Sequence, residues 1–131
     1  MLATQAEIPE AHLLLGLVAM ARQQYEAAII AFDKTLKIDN RYGEGYYQMG
    51  LAQKALGKHA EAIKSLQQAA DLMPNHLPSL ANLALWTSEL GRYNETIEYG
   101  EKAVAIDPQN IPLRQLLAAA YVQFGNFDES L

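Results

Sequence analysis

A pattern that returns every 34 residues constrains this chain more than any other feature. The stretch Gly43 to His76, GEGYYQMGLAQKALGKHAEAIKSLQQAADLMPNH, has counterparts before and after it in unbroken register. One column holds small residues: Gly16, Gly50, Ala84 and Ala118. A turn column follows at Gln23, Gly57, Gly91 and Gly125, and two places on stand Tyr25, His59, Tyr93 and Phe127. Small or near-small residues recur at Ala28, Ala62, Thr96 and Ser130, and a breaker at Asn40, Pro74 and Pro108. A fixed period of this length, with no insertion, is the mark of a stacked helical array, in which each unit buries its apolar face against its neighbours.

Those columns resemble the tetratricopeptide repeat, a helix-turn-helix unit of this length with small, aromatic and proline positions in this order. The resemblance covers residues 9 to 131. It implies an all-α fold, a right-handed α-α superhelix (a solenoid) of stacked helix-turn-helix repeats. The repeats are expected at 9–42, 43–76, 77–110 and 111–131, the last truncated. Residues 1–8 fit the end of a preceding helix or an N-terminal extension.

Helix signals place the elements. Pro9 opens the first helix, proline being tolerated in a first turn, and that helix is expected to run to Arg22. Second helices are expected over 25–37, 59–72 and 93–106; first helices of the later copies over 45–56, 77–90 and 112–124. Gly57 and Gly91 just past helix ends are expected C-terminal caps. Gly125 is read in the same way, with a last helix beginning at Phe127. A start without a complete unit and an end inside a helix are what a segment of a longer array would show.

Copy three departs from the pattern in two places. The second-helix column of Phe32 and Leu66 holds Gly100, and bulky Trp86 stands where the other first helices have Val18, Ala52 and Ala120. A glycine inside a helix costs about 1 kcal/mol relative to alanine. The expectation is that the Trp86 indole fills the space left at Gly100.

Charge and composition exclude several classes. Ten basic against fifteen acidic residues give a net charge of −5, where a phosphate backbone would need a basic stripe. Nucleic acid is therefore not an expected partner, and no polybasic cluster draws the chain to an anionic membrane. No apolar run approaches the length needed to cross a bilayer. The absence of cysteine rules out disulfides, thiol catalysis and cysteine metal sites. The N-terminus shows no signal-peptide pattern; the compartment is not fixed by the sequence, cytoplasmic being a default with an exported or membrane-anchored parent as the alternative. His12, His59 and His76 occupy unrelated places in their copies and none has a metal-ligand partner at helical spacing. No serine is framed as a nucleophile, and Glu95, Glu98 and Glu101 have the spacing of a solvated helix face. No cofactor, no metal and no catalytic group is expected.

One constellation remains. In arrays of the resembled family the first helices line the concave side, where partner peptides lie. Residues spaced 3 or 4 apart share a helix face. That face carries Leu13, Leu17 and Met20, then Tyr47, Leu51 and Lys54, then Ala81, Leu85 and Ser88, then Gln115, Ala119 and Val122. A separate inward column for packing is supplied by Leu15, Met49, Leu83 and Leu117. The expected contact set is Leu13, Leu17, Met20, Tyr47, Leu51, Lys54, Ala81, Leu85 and Ala119. Family members that hold acidic chaperone tails do so with a clamp of lysine, asparagine and arginine. Here Leu13 and Leu17 stand at its first lysine and asparagine, and Pro78 and Asn82 at its later basic pair, so the clamp does not carry over. The expected function is a non-enzymatic protein-interaction scaffold that takes an apolar or amphipathic protein segment. The alternatives are a docking segment of a larger enzyme, such as a transferase, and a scaffold that self-assembles through open repeat ends.

Overall fold

A computed structural model describes residues 8–129, with side chains to residue 125. Its described residues form seven helices and no strand: α1 Pro9–Ala21, α2 Tyr25–Ile38, α3 Gly43–Ala55, α4 His59–Leu72, α5 Leu77–Glu89, α6 Tyr93–Ile106 and α7 Ile111–Glu129. The chain divides into two compact units, Met1–Pro74 and Asn75–Leu131. In the first, α1 pairs with α2, α3 with α4, and α2 packs against α3. In the second, α6 packs against both α5 and α7. The all-α helix-turn-helix architecture follows the 34-residue period, and both ends of every helix from α1 to α6 fall within two residues of their expected positions.

The turns are built alike. Gln23, Gly57 and Gly91 all have positive φ, at 59°, 79° and 74°. In each case the next residue's N–H reaches back five residues: Gln24 to the Ala19 carbonyl at 2.8 Å, Lys58 to Gln53 at 2.9 Å and Arg92 to Thr87 at 2.9 Å. This is the left-handed cap that satisfies the last carbonyls of a helix. It turns the chain within three residues and lays the second helix against the first. Glycine takes that conformation without steric cost, whereas Gln23 does not.

In unit one the closest approaches depend on glycine. A Cβ on Gly16 would overlap the ring of Phe32, which is 0% exposed. One on Gly50 would lie 3.2 Å from both the Leu66 side chain and the Ala62 carbonyl. The large residue of the second helix therefore seats on the bare backbone of the first. Polar side chains buried at these seams are paired. Thr35 donates to the Pro9 carbonyl at 3.3 Å, and Ser65 donates to the Gln53 side-chain carbonyl at 2.6 Å.

Unit two closes differently. Thr87 and Thr96, both fully buried, share a hydroxyl hydrogen bond of 2.9 Å across the α5–α6 seam. Each hydroxyl has one proton, so one of the pair donates across the seam and the other to a nearby carbonyl; Thr87 lies 2.7 Å from the Leu83 carbonyl and Thr96 3.2 Å from that of Arg92. Trp86 is buried, but it does not fill the space at Gly100. The three atoms nearest to a Cβ there all belong to Leu117, the first at 3.1 Å. The missing side chain of α6 thus makes room for a leucine of α7.

Two further expectations are corrected. Leu15 was assigned to the inward column, yet it is 61% exposed. Its counterpart Met49 is covered because α2 precedes α3 and packs on it; among the described residues no helix precedes α1. The turn expected at Gly125 does not form either, since α7 runs through it to Glu129. Helix packing holds the turns at Gly57 and Gly91 in place. One interior glycine costs a helix only about 1 kcal/mol, so Gly125 by itself does not end α7.

Candidate functional site

First helices present the expected face, but the two units use it differently. In unit one Leu13 is a core residue, only 9% exposed, in a cluster with Phe32, Met49 and Ala52. The cluster draws on α1, α2 and α3, so the side of α1 that carries Leu13 is covered by neighbouring helices. Its expected role as an exposed contact is corrected accordingly. Leu17 and Met20 are half-buried and pack against the same cluster. Tyr47, Leu51 and Lys54 of α3 are half-buried.

In unit two the face is open. The helices α5 and α7 are in contact, and between them lies a depression of about 620 Å³. Ala81, Asn82 and Leu85 line it from α5, and Pro112, Leu113, Gln115 and Leu116 from α7, with Asn110 at the rim. Leu85 is 43% exposed, although the core residue Leu83 two places earlier is fully buried. A second depression of about 200 Å³ is lined by Ser88, Tyr93, Leu116, Ala119, Ala120 and Gln123. Leu116 borders both. Of the expected contacts, Ala81, Leu85 and Ala119 therefore lie along one surface of this unit.

Local chemistry fixes the walls. Asn110 caps α7: its side-chain oxygen accepts from the Leu113 N–H at 3.1 Å, and its amide donates to Asp107 at 3.3 Å. Pro112 in the first turn needs no N–H partner there. The hydroxyl of Tyr121 bonds to Glu101 and ties α7 to α6. At the start of α5, His76 accepts from the Ser79 N–H at 3.3 Å. Sequence reasoning assigned Asn82, Leu113 and Leu116 to no contact role. Asn82 and Leu116 each follow an expected face residue by one position, a rotation of about 100° on a helix. Leu113 counts among the buried residues of α7 and still forms one wall of the depression.

Electrostatic perturbations lie elsewhere. The hydrogen bond with Glu95 raises the Arg92 guanidinium above its ordinary value, against the opposing effect of burial. Burial, then the negative charges of Glu10, Glu44 and Asp39, raise the Tyr42 hydroxyl, so it stays protonated at neutral pH. Among the described residues no three His, Asp or Glu side chains gather as a metal site. No helix among them is long and apolar enough to cross a membrane.

Known proteins place these features. Residues 43–109 match a family model described as tetratricopeptide repeat, and two further models of that description match residues 9–42 and 88–131. Among solved structures, the crystal structure of MamA is 29% identical, with a TM-score of 0.85 over 98% of this chain and 75% of that one. The first tetratricopeptide domain of Spaghetti (RPAP3), bound to the HSP90 peptide SRMEEVD, is 16% identical, with a TM-score of 0.81 over 92% of this chain and 95% of that one. The tetratricopeptide domain of Sgt2 from Aspergillus fumigatus is 20% identical, with a TM-score of 0.76 over 92% and 82%. At those identities the last two speak for the fold alone. No curated protein gives a significant sequence match.

Proposed function

The chain belongs to the tetratricopeptide repeat family, and from that we propose that it is a non-enzymatic scaffold whose first helices hold an apolar segment of a partner protein. The observation that carries this reading is the depression between α5 and α7, where Leu85 stands exposed beside Leu113 and Leu116. An apolar surface beyond what packing uses marks an interaction site. Leu85, Ala81 and Ala119 are the proposed contacts in unit two, and Leu17, Met20, Tyr47, Leu51 and Lys54 the proposed contacts in unit one. Tyr47 is the proposed hot spot there, tyrosine being enriched among such residues. The RPAP3 domain is bound to the HSP90 peptide SRMEEVD, which is acidic. The surface here carries no charged residue among its lining groups, which favours an apolar occupant.

Capture from native lysate with the parent chain and with Leu85→Glu tests this. Leu85 is exposed, so the substitution should change stability by no more than about 0.5 kcal/mol. A partner retained by the parent chain is then purified and its affinity measured by calorimetry. The expected result is at least about a tenfold loss of affinity in Leu85→Glu. Equal affinity for both chains would move the interaction off this face.

A further inference from the structure

Apart from the groove, α1 carries a second apolar face. Ala11, Leu15 and Val18 fall on one side of the helix at helical spacing, with Leu14 beside them. Leu14, Leu15 and Val18 are all exposed. From Ala11 to Ala21 the helix has no Asp, Glu, Lys or Arg. A helix that is apolar all round has the pattern of one covered on every side, and the 34-residue period shows what covers the counterparts of this face. In α3, Leu15 and Val18 recur as Met49 and Ala52, which are buried in one cluster with Ala28 and Phe32 of α2. Ala11 recurs as Gly45, where an added Cβ would lie 3.0 Å from Leu36 of α2. In α7 the column of Leu15 holds Leu117, which lies against Gly100 of α6. In both places the cover is a second helix of the preceding copy.

A second molecule of this chain has no such helix to lend among its described residues. Ala28 and Phe32 of α2, Ala62 and Leu66 of α4, and Thr96 and Ala103 of α6 are all fully buried already. We infer that the face of α1 formed by Ala11, Leu15 and Val18 docks an amphipathic helix of a partner protein, seated as α2 seats on α3. The stripe of α2 gives its chemistry: Ala28, Phe32 and Leu36, a small residue, a bulky apolar one four places on and leucine after four more. To span α1, which has 13 residues, that helix needs a length of about 20 Å. None of these α1 residues is a proposed groove contact, so the two readings stand or fall separately.

A displayed library of amphipathic helices about 16 residues long, randomised only along the stripe, provides the probes. It is selected on the intact chain and counter-selected on Leu15→Glu, an exposed position. Enriched helices are then measured by calorimetry against the parent chain, Leu15→Glu, Val18→Gln and Ile106→Glu, each checked by circular dichroism. Ile106 is an exposed apolar residue of α6 and controls for added charge. The expected helices repeat the small, bulky and leucine stripe. Leu15→Glu should weaken them at least about tenfold, Val18→Gln roughly three- to tenfold, and Ile106→Glu by less than about twofold. Proline in the middle of the peptide should abolish binding, because it breaks a helix. Val18→Gln carries the test should Leu15→Glu disturb the fold. Enriched peptides that tolerate the proline would overturn the inference, since they do not bind as helices. A dimer of the parent chain in sedimentation velocity that Leu15→Glu dissolves would also overturn it, by putting a second copy on this face. Failure to enrich any helix that depends on Leu15 or Val18 would overturn it and leave the groove reading, which rests on Leu85, as it stands.

Discussion

The α1–α2 pair and the α5–α6 pair occupy equivalent places in the 34-residue period, yet their interiors are built oppositely. In the first, a large residue of the second helix, Phe32, seats on a glycine of the first, Gly16. In the other, glycine is on the second helix at Gly100, alanine replaces it at Ala84, and the seam is bridged by Thr87 and Thr96. Leu117 of the next helix lies against Gly100. The backbone period therefore sets where helices lie, while the filling of each column is negotiated locally, within a pair or between successive pairs. Phe32→Ala should break the first arrangement at the greatest cost, about 3–5 kcal/mol, as for other buried phenylalanines. Urea unfolding measures it, and amide exchange in α1 and α2 localises it. Gly16→Ala should cost about 1–3 kcal/mol by overpacking despite its better helix propensity. A neutral or stabilising result there would mean that the ring moves aside and the close approach is dispensable.

The second arrangement can be tested by restoring the side chain it lacks. Gly100→Leu should collide with Leu117 and destabilise the chain by about 1–3 kcal/mol. Combining it with Leu117→Ala should recover part of the loss, giving a coupling of about 1 kcal/mol or more for residues in contact. Trp86→Phe combined with Gly100→Leu should be additive to within about 0.5 kcal/mol. Coupling at Trp86 and none at Leu117 would reinstate the indole as the group that answers Gly100.

This difference also marks how far the sequence could be read. Helix ends were legible because caps and breakers act over a few residues, as at Gly57, Gly91 and Pro108. The packing of Gly100 was not, because a column says which residues are equivalent, not whether the gap is filled from the same copy or the next. Leu13 and Leu15 were misassigned for a related reason. Both are apolar residues of α1, and only the position of α2 and α3 reveals that the former is covered and the latter is not. The open face of unit two was half-legible. Ala81, Leu85 and Ala119 share a helical spacing, whereas Asn82 and Leu116 reach the depression only through the way α5 and α7 meet.

The smallest expected effect concerns the turn column, where copy one departs from the next two in residue but keeps the same backbone conformation. Gln23 adopts φ of 59° where the later copies use glycine at 79° and 74°. The left-handed conformation costs an L-residue about 1–2 kcal/mol; a glycine avoids this but loses more freedom on folding, roughly 0.5–1 kcal/mol. Gln23→Gly should therefore stabilise the chain by about 0.5–1 kcal/mol, read as a higher urea midpoint at unchanged slope. The reverse substitution, Gly91→Gln, should destabilise by a similar amount, because no atom lies within 4 Å of a Cβ at Gly91 and only the backbone conformation is at issue. Opposite signs at the two positions would show that one turn geometry serves both hairpins, whatever fills their seams. Destabilisation by Gln23→Gly would instead assign the Gln23 side chain a contact that outweighs the backbone strain it carries.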